Sequence, residues 1–150
     1  MLLLTMLPVY GKGSVEKDMG AYLFTFFNDP THSLFMAVSY DGYTFTAVNE
    51  GQPVISGDSI AAQRGIRDPH IYRAPNGMFY IAMTDLHVFG KQRGLRDTQW
   101  ERDDKYGWGN NRGLVLMKSK DLIHWTHTEV FVNETFPENF GELGCAWAPQ

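Results

Sequence analysis

The sequence predicts an all-β protein built from repeated antiparallel sheets, a β-propeller. Three observations lead there. The 150 residues hold 4 Trp, 7 Tyr and 10 Phe, closely punctuated by 15 Gly and 7 Pro, the texture of short strands and tight turns rather than long helices. Ser39-Tyr40-Asp41-Gly42-Tyr43-Thr44-Phe45-Thr46 and Ser119-Lys120-Asp121-Leu122-Ile123-His124-Trp125-Thr126 share the pattern Ser-x-Asp-x-x-x-aromatic-Thr at an offset of 80. Each copy sits between apolar runs, so the unit reads strand, turn, strand, and sheets repeated in this way point to a propeller.

The elements follow in order. Met1 to Val9 is apolar but far shorter than the roughly 20 residues that cross a bilayer. With the small residues after it, residues 1–13 resemble the remnant of a secretory signal, although a basic leading region is missing. The alternative is an apolar N-terminal strand or a frayed tail. A signal would make the protein secreted or periplasmic. Tyr22 to Phe27 reads as a strand, Leu34 to Val38 as its partner, and Ala47-Val48 as a third strand after the first Ser-x-Asp turn. The second copy adds a strand in front: Pro69-His70-Ile71-Tyr72-Arg73 runs into Ala74-Pro75-Asn76-Gly77, where Asn-Gly signals a hairpin, and on to Met78-Phe79-Tyr80-Ile81-Ala82-Met83. Leu114 to Met117 and Val130 to Val132 then flank the second turn. In each turn Ser and Asp are expected to cap the bend with side-chain oxygens while the aromatic and Thr re-enter the sheet.

Counting from Tyr22 to Ser39 and from Tyr80 to Ser119 leaves about 22 extra residues in the second copy, between His87 and Gly113. This polar stretch, with Trp100, Tyr106 and Trp108, reads either as a lid or binding loop or as a solvated surface insertion.

Charge and cysteine content narrow the function. A net charge of -4 with no basic stripe argues against nucleic acid as a partner. The single cysteine, Cys145, excludes an intrachain disulfide and a Cys-rich zinc site. Five histidines, His32, His70, His87, His124 and His127, lack tight ligand spacing; His124 and His127 would point to opposite faces of a strand, so no metal is expected from this segment. Asn133-Glu134-Thr135 fits a glycosylation acceptor, which matters in a eukaryotic secretory host.

In a propeller the first strand of each blade lines the central channel. Asp68, in Arg67-Asp68-Pro69, stands at such a mouth, and the proline is expected to keep it extended. Following the meander, Thr84-Asp85, the long loop and the next blade, beginning around Cys145 to Gln150, meet at the same end.

These residues resemble the N-terminal part of a glycoside hydrolase of family 43. The resemblance is carried by Tyr22-Leu23-Phe24, Ala37-Val38-Ser39-x-Asp41-Gly42, Gly65-Ile66-Arg67-Asp68-Pro69-His70-Ile71, Phe79-Tyr80 through Thr84-Asp85, Asn111-Arg112-Gly113, Ser119-x-Asp121-Leu122-Ile123-x-Trp125 and Trp147-Ala148-Pro149-Gln150, across residues 20–150. Each motif alone is weak; their order and spacing make the match specific. It implies a five-bladed propeller, of which the chain covers about the first two blades. It also implies inverting hydrolysis of α-L-arabinofuranosyl or β-D-xylosyl linkages in plant-type polysaccharides.

On this resemblance Asp68 corresponds to the general base, and Asp85, His87, Trp108 and Trp147 are candidates for the sugar site, aromatic faces packing on sugar C–H surfaces. The general acid and a third, tuning carboxylate belong to later blades. Glu129, Glu134, Glu138 and Glu142 do not stand in the acid motif, and residues 1–150 alone are expected to be inactive. No cofactor is expected from this segment; calcium, found in parts of the family, would be held by later blades.

Other readings stay open. Asp68 could support a transition state without acting as base, or be a turn carboxylate paired with Arg64 or Arg67; Asp85 could merely form a strand-end turn. A retaining, invertase-like fructosidase would use Asn28-Asp29-Pro30, although that triplet follows its strand here rather than preceding one. A non-catalytic carbohydrate-binding propeller would present the same aromatic funnel.

Overall fold

The computed structural model describes residues 20–95, 111, 113–140 and 146–150. The segment read as a signal remnant and Trp108 lie outside the described residues. The chain forms two antiparallel sheets. The first has three strands in sequence order, β1 (Tyr22–Phe26), β2 (Phe35–Ser39) and β3 (Thr46–Ala47). The second is a four-stranded meander of β4 (Ile66–Arg73), β5 (Phe79–Asp85), β6 (Gly113–Ser119) and β7 (Trp125–Phe131). Among the described residues helix is confined to four-residue turns, α1 (Val132–Thr135) and α2 (Pro137–Phe140), and two 3-10 turns. This all-β arrangement is consistent with two propeller blades, the first without its innermost strand.

The repeated turns are alike atom for atom. Ser39 Oγ lies 2.8 Å from Asp41 Oδ1 and accepts from Gly42 N at 2.9 Å, while Asp41 Oδ1 accepts from Tyr43 N at 2.8 Å and Thr44 N at 2.7 Å. The second copy gives 3.1, 2.9, 2.9 and 2.8 Å for Ser119, Leu122, Ile123 and His124 around Asp121. Both turns put their fourth residue in the left-handed region, Gly42 at φ +76° and Leu122 at +64°, so the side-chain bonds hold a conformation that a leucine would otherwise avoid. These donors keep both aspartates below the ordinary carboxylate range.

At the same end of the second sheet, in the β4–β5 hairpin, Gly77 N donates to Ala74 O at 2.9 Å and Ala74 N to Met78 O at 2.8 Å. Gly77 takes φ +83°, the bulged position of a three-residue hairpin loop in which Asn76 precedes the left-handed residue. The strand register refines the copy alignment by one residue: Tyr22 pairs with Ser39 and Phe79, not Tyr80, with Ser119.

Side chains alternate along β6, where Val115 and Met117 are buried and Leu116 and Lys118 exposed. The buried face joins Ile81, Met83 and Ile66 of the second sheet to Leu34 and Met36 of the first, with Leu23, Val48 and Trp125 at the margin. Each large side chain sealed in this seam contributes ~1.5–3 kcal/mol. Thr25 Oγ1 of β1 donates to Pro69 O of β4 at 3.3 Å, fixing the sheets to each other beside Asp68.

Candidate functional site

The end of the second sheet where β4 begins and β5 finishes carries the candidate site. Arg67 pairs with Thr84 and His70 with Ala82, so Asp68 and Pro69 together face the single residue Met83, a β-bulge. The proline has no N–H to give the ladder, which makes the interruption cheap here. Asp68 takes φ +52°, which corrects the expectation that Pro69 keeps it extended: the bulge overrides the local preference. Such a backbone costs of the order of 1–3 kcal/mol, and Asp tolerates it better than most residues. Bulges of this kind re-aim a side chain.

Asp68 lines an open cavity of about 260 Å³ with Pro69, His70, Ala148, Pro149 and Gln150. Its Oδ2 accepts from Thr84 Oγ1 at 3.1 Å, and Thr84 Oγ1 accepts from Ala148 N at 2.9 Å. The two arginines named as partners engage other groups: Arg64 pairs with Asp58, and Arg67 Nη1 with Asp29 Oδ1 at 2.8 Å, the Arg67 Cζ lying 4.5 Å from the Phe27 ring centroid.

Ala148 repeats the backbone of Asp68: it precedes a proline and takes φ +43°. Asp68-Pro69 and Ala148-Pro149 are separated by 80 residues, the offset of the turn repeat. The second strand mouth was therefore legible in the repeat itself, and at that mouth the carboxylate is replaced by a methyl group.

Asp85 and His87 are placed in the interior. Asp85 is 1% exposed and points to the opposite face of β5 from Thr84. Its Oδ1 accepts from Gln63 N at 2.8 Å, and Gln63 Nε2 donates to Asp85 O at 2.9 Å and to Asn111 Oδ1. A Cβ on Gly113 would lie 2.6 Å from Asp85 Oδ2, so glycine lets the two strands close on the carboxylate. Asn111, wholly buried, passes the connection on: its Nδ2 donates to Ala146 O at 2.8 Å and its carbonyl accepts from Ala146 N at 2.6 Å. This network delivers residues 146–150 to the cavity.

The His87 ring is 2% exposed and stacks on His32, centroids 4.0 Å apart and planes 12° apart. His87 Nδ1 accepts from Phe89 N at 3.2 Å and His32 Nε2 from Val88 N at 3.3 Å, so both rings act as acceptors on the first turn of the long loop. Burial, with the charges of His87 and Arg67, lowers the His32 pKa to about 4. Trp147 packs, half-buried, against Leu86 and Val88.

The structure thus brings Asp68 to the cavity, leaves Trp147 next to it in the chain, and buries Asp85 and His87 in the scaffold behind. Thr84 and Ala148 lie at the end of the sheet where the meander places them; the hydrogen bonds that join them to Asp68, and the His32–His87 stack, were not foreseen. Asn28-Asp29-Pro30 forms a turn, Asn28 Oδ1 accepting from Thr31 N at 3.0 Å, with Asp29 held by Arg67. Among the described residues no three His, Cys, Asp or Glu side chains converge, and no helix is long and apolar enough to cross a membrane.

An α-L-arabinofuranosidase of Bifidobacterium longum subsp. longum is 29% identical over 116 residues, covering 73% of this chain but 9% of that relative's own length. No solved structure matches. Residues 17–150 match the family 43-related group described as a probable glycosyl hydrolase domain. The sheets, the Asp-Pro bulge and the second Pro-marked mouth all fall inside that match, and the chain belongs to this glycosyl hydrolase family.

Proposed function

We propose that the chain supplies two blades of a five-bladed propeller glycosidase, with Asp68 as general base in the inverting hydrolysis of α-L-arabinofuranosyl or β-D-xylosyl linkages. The observation that carries this reading is the Asp68 carboxylate at the cavity, turned there by a bulge and tied through Oδ2 to Thr84. Family membership and the name of the Bifidobacterium relative support the substrate class.

With Oδ2 engaged, Oδ1 is the atom that would take a proton from water as that water attacks the anomeric carbon opposite the leaving group. A second, protonated carboxyl must then stand roughly 6.5–9.5 Å away across the sugar. Asp68 is the acidic group among the described cavity residues, so the acid is assigned to other parts of the protein. Trp147 and Trp108 are proposed to form sugar-facing walls, whereas Asp85 and His87 act on substrate through the segments they hold. A polymeric plant substrate fits a secreted or periplasmic protein. Any bound calcium is assigned to other blades.

The test is hydrolysis of 4-nitrophenyl α-L-arabinofuranoside and β-D-xyloside by the protein carrying this domain, with the first-formed anomer read by proton NMR. Release of the inverted anomer is expected. A retained anomer would replace the mechanism, and saturable sugar binding without hydrolysis would establish a binding propeller instead.

A further inference from the structure

We propose that Thr84 is a positioning residue: one hydroxyl fixes the carboxylate of Asp68 and the neighbouring strand mouth at Ala148 in a single hydrogen-bonded unit. This rests on the reading of Asp68 as base and names what holds it.

The hydroxyl carries one proton. Ala148 N–H donates to its oxygen at 2.9 Å, so the proton is directed to Asp68 Oδ2, 3.1 Å away. Thr84 is 0% exposed and lies on a strand paired on both sides, with Arg67 and Leu114; its branched side chain is stiff at χ1. Asp68, in contrast, sits in a bulge with a left-handed backbone, where the ladder does not fix it. Among the described residues Thr84 supplies the hydrogen bond to its carboxylate. That bond consumes Oδ2 and presents Oδ1 to the cavity.

The same oxygen anchors the second mouth. Asn111 clamps Ala146 through two hydrogen bonds, and Thr84 takes hold two residues later, so Ala148 and Gln150 enter the cavity at a set distance from the carboxylate. The two anchored positions are equivalent in the repeat, but position 148 carries a methyl group, leaving room beside the base for a sugar and its water. Losing one hydrogen bond to a charged group, with the small misplacement that follows, lowers a catalytic rate by about 10- to 100-fold.

The experiment compares Thr84→Val and Thr84→Ser in the protein carrying this domain, with Asp68→Asn alongside, on the aryl glycoside that the wild-type protein cleaves. The valine variant is expected to lose about 10- to 100-fold in kcat with KM within about twofold, and serine to restore kcat to within about threefold. A merely structural threonine would lower the melting temperature without this split or the rescue. Should the valine variant fail to fold, Thr84→Ala serves, with the same loss expected. Wild-type kcat in Thr84→Val, or equal loss in Val and Ser, overturns the proposal. If Asp68→Asn also keeps wild-type kcat, the assignment of the base fails first; if it is inactive while Thr84→Val is fully active, the role of Thr84 alone falls.

Discussion

Acidification from about pH 7 to about pH 5 should destabilise the fold through one buried ring, His32. The ring has 0% exposure, stacks on His87 and lies 3.4 Å from Arg67 Nη1. Burial first, then the charges of His87 and Arg67, lower its pKa from 6.5 to about 4, against the opposing pull of Asp29. The unfolded chain takes up a proton near 6.5, where the folded chain does not, so the stabilisation is complete above that pH. It is lost progressively as pH falls toward about 4, where the folded ring begins to be protonated as well. The whole interval is worth ~3 kcal/mol at about 1.4 kcal/mol per pH unit, of which ~2 kcal/mol is lost by about pH 5. The assay is urea denaturation followed by tryptophan fluorescence at about pH 7.5, 6 and 5, comparing wild type with His32→Phe. The phenyl ring keeps the stack and drops the titration. It should be less stable at neutral pH, because Val88 N–H loses its acceptor, yet show a nearly flat pH dependence. A wild-type midpoint that does not move, or a His32→Phe slope equal to wild type, would refute the reasoning.

A Cβ on Gly65 would lie 2.7 Å from His87 Cβ and 2.8 Å from His32 Cβ, so Gly65→Ala should cost ~1–3 kcal/mol in the same denaturation experiment; an unchanged midpoint contradicts the packing. Asp41 is held below the carboxylate range chiefly by Thr44 and Tyr43 N–H groups, and Asp121 chiefly by His124. Their stabilisation is present above about pH 4 and disappears as pH falls further, so Asp41→Ala/Asp121→Ala should show less additional loss between about pH 5 and 3 than wild type. Asn111→Leu removes the side-chain half of the clamp on Ala146; it should expose Trp147, read as a red shift in fluorescence, at a cost of ~1–3 kcal/mol.

The strands and turns were legible because their determinants are local. Ser39 and Asp41 meet within one turn, and the alternation of β6 is written in seven consecutive residues. The backbone of Asp68 was not, because a preference acting through Pro69 is outweighed by the register of β5, a strand met more than ten residues later. The burial of the His87 ring is hidden from the sequence because nothing nearby announces its partner; His32 lies 55 residues earlier. The burial of Asp85 is hidden from the sequence for a related reason: an acid at a strand end looks exposed until Gln63 and Gly113 close over it. Thr84 stands in a motif of the resemblance, but its hydroxyl becomes informative only when Asp68 and Ala148 are brought to it. The meander places the next strand mouth around Cys145 to Gln150, and the repeat offset visible in the turns narrows it to Ala148-Pro149.

The most direct measurement is the kcat of Asp68→Asn in the protein carrying this domain, on the aryl arabinofuranoside or xyloside that the wild-type protein cleaves. Asparagine keeps the size and an oxygen for Thr84 but cannot take a proton from water, so kcat should fall by about 100- to 10,000-fold with substrate still bound. Turnover within about threefold of wild type would contradict the assignment of Asp68 as the general base.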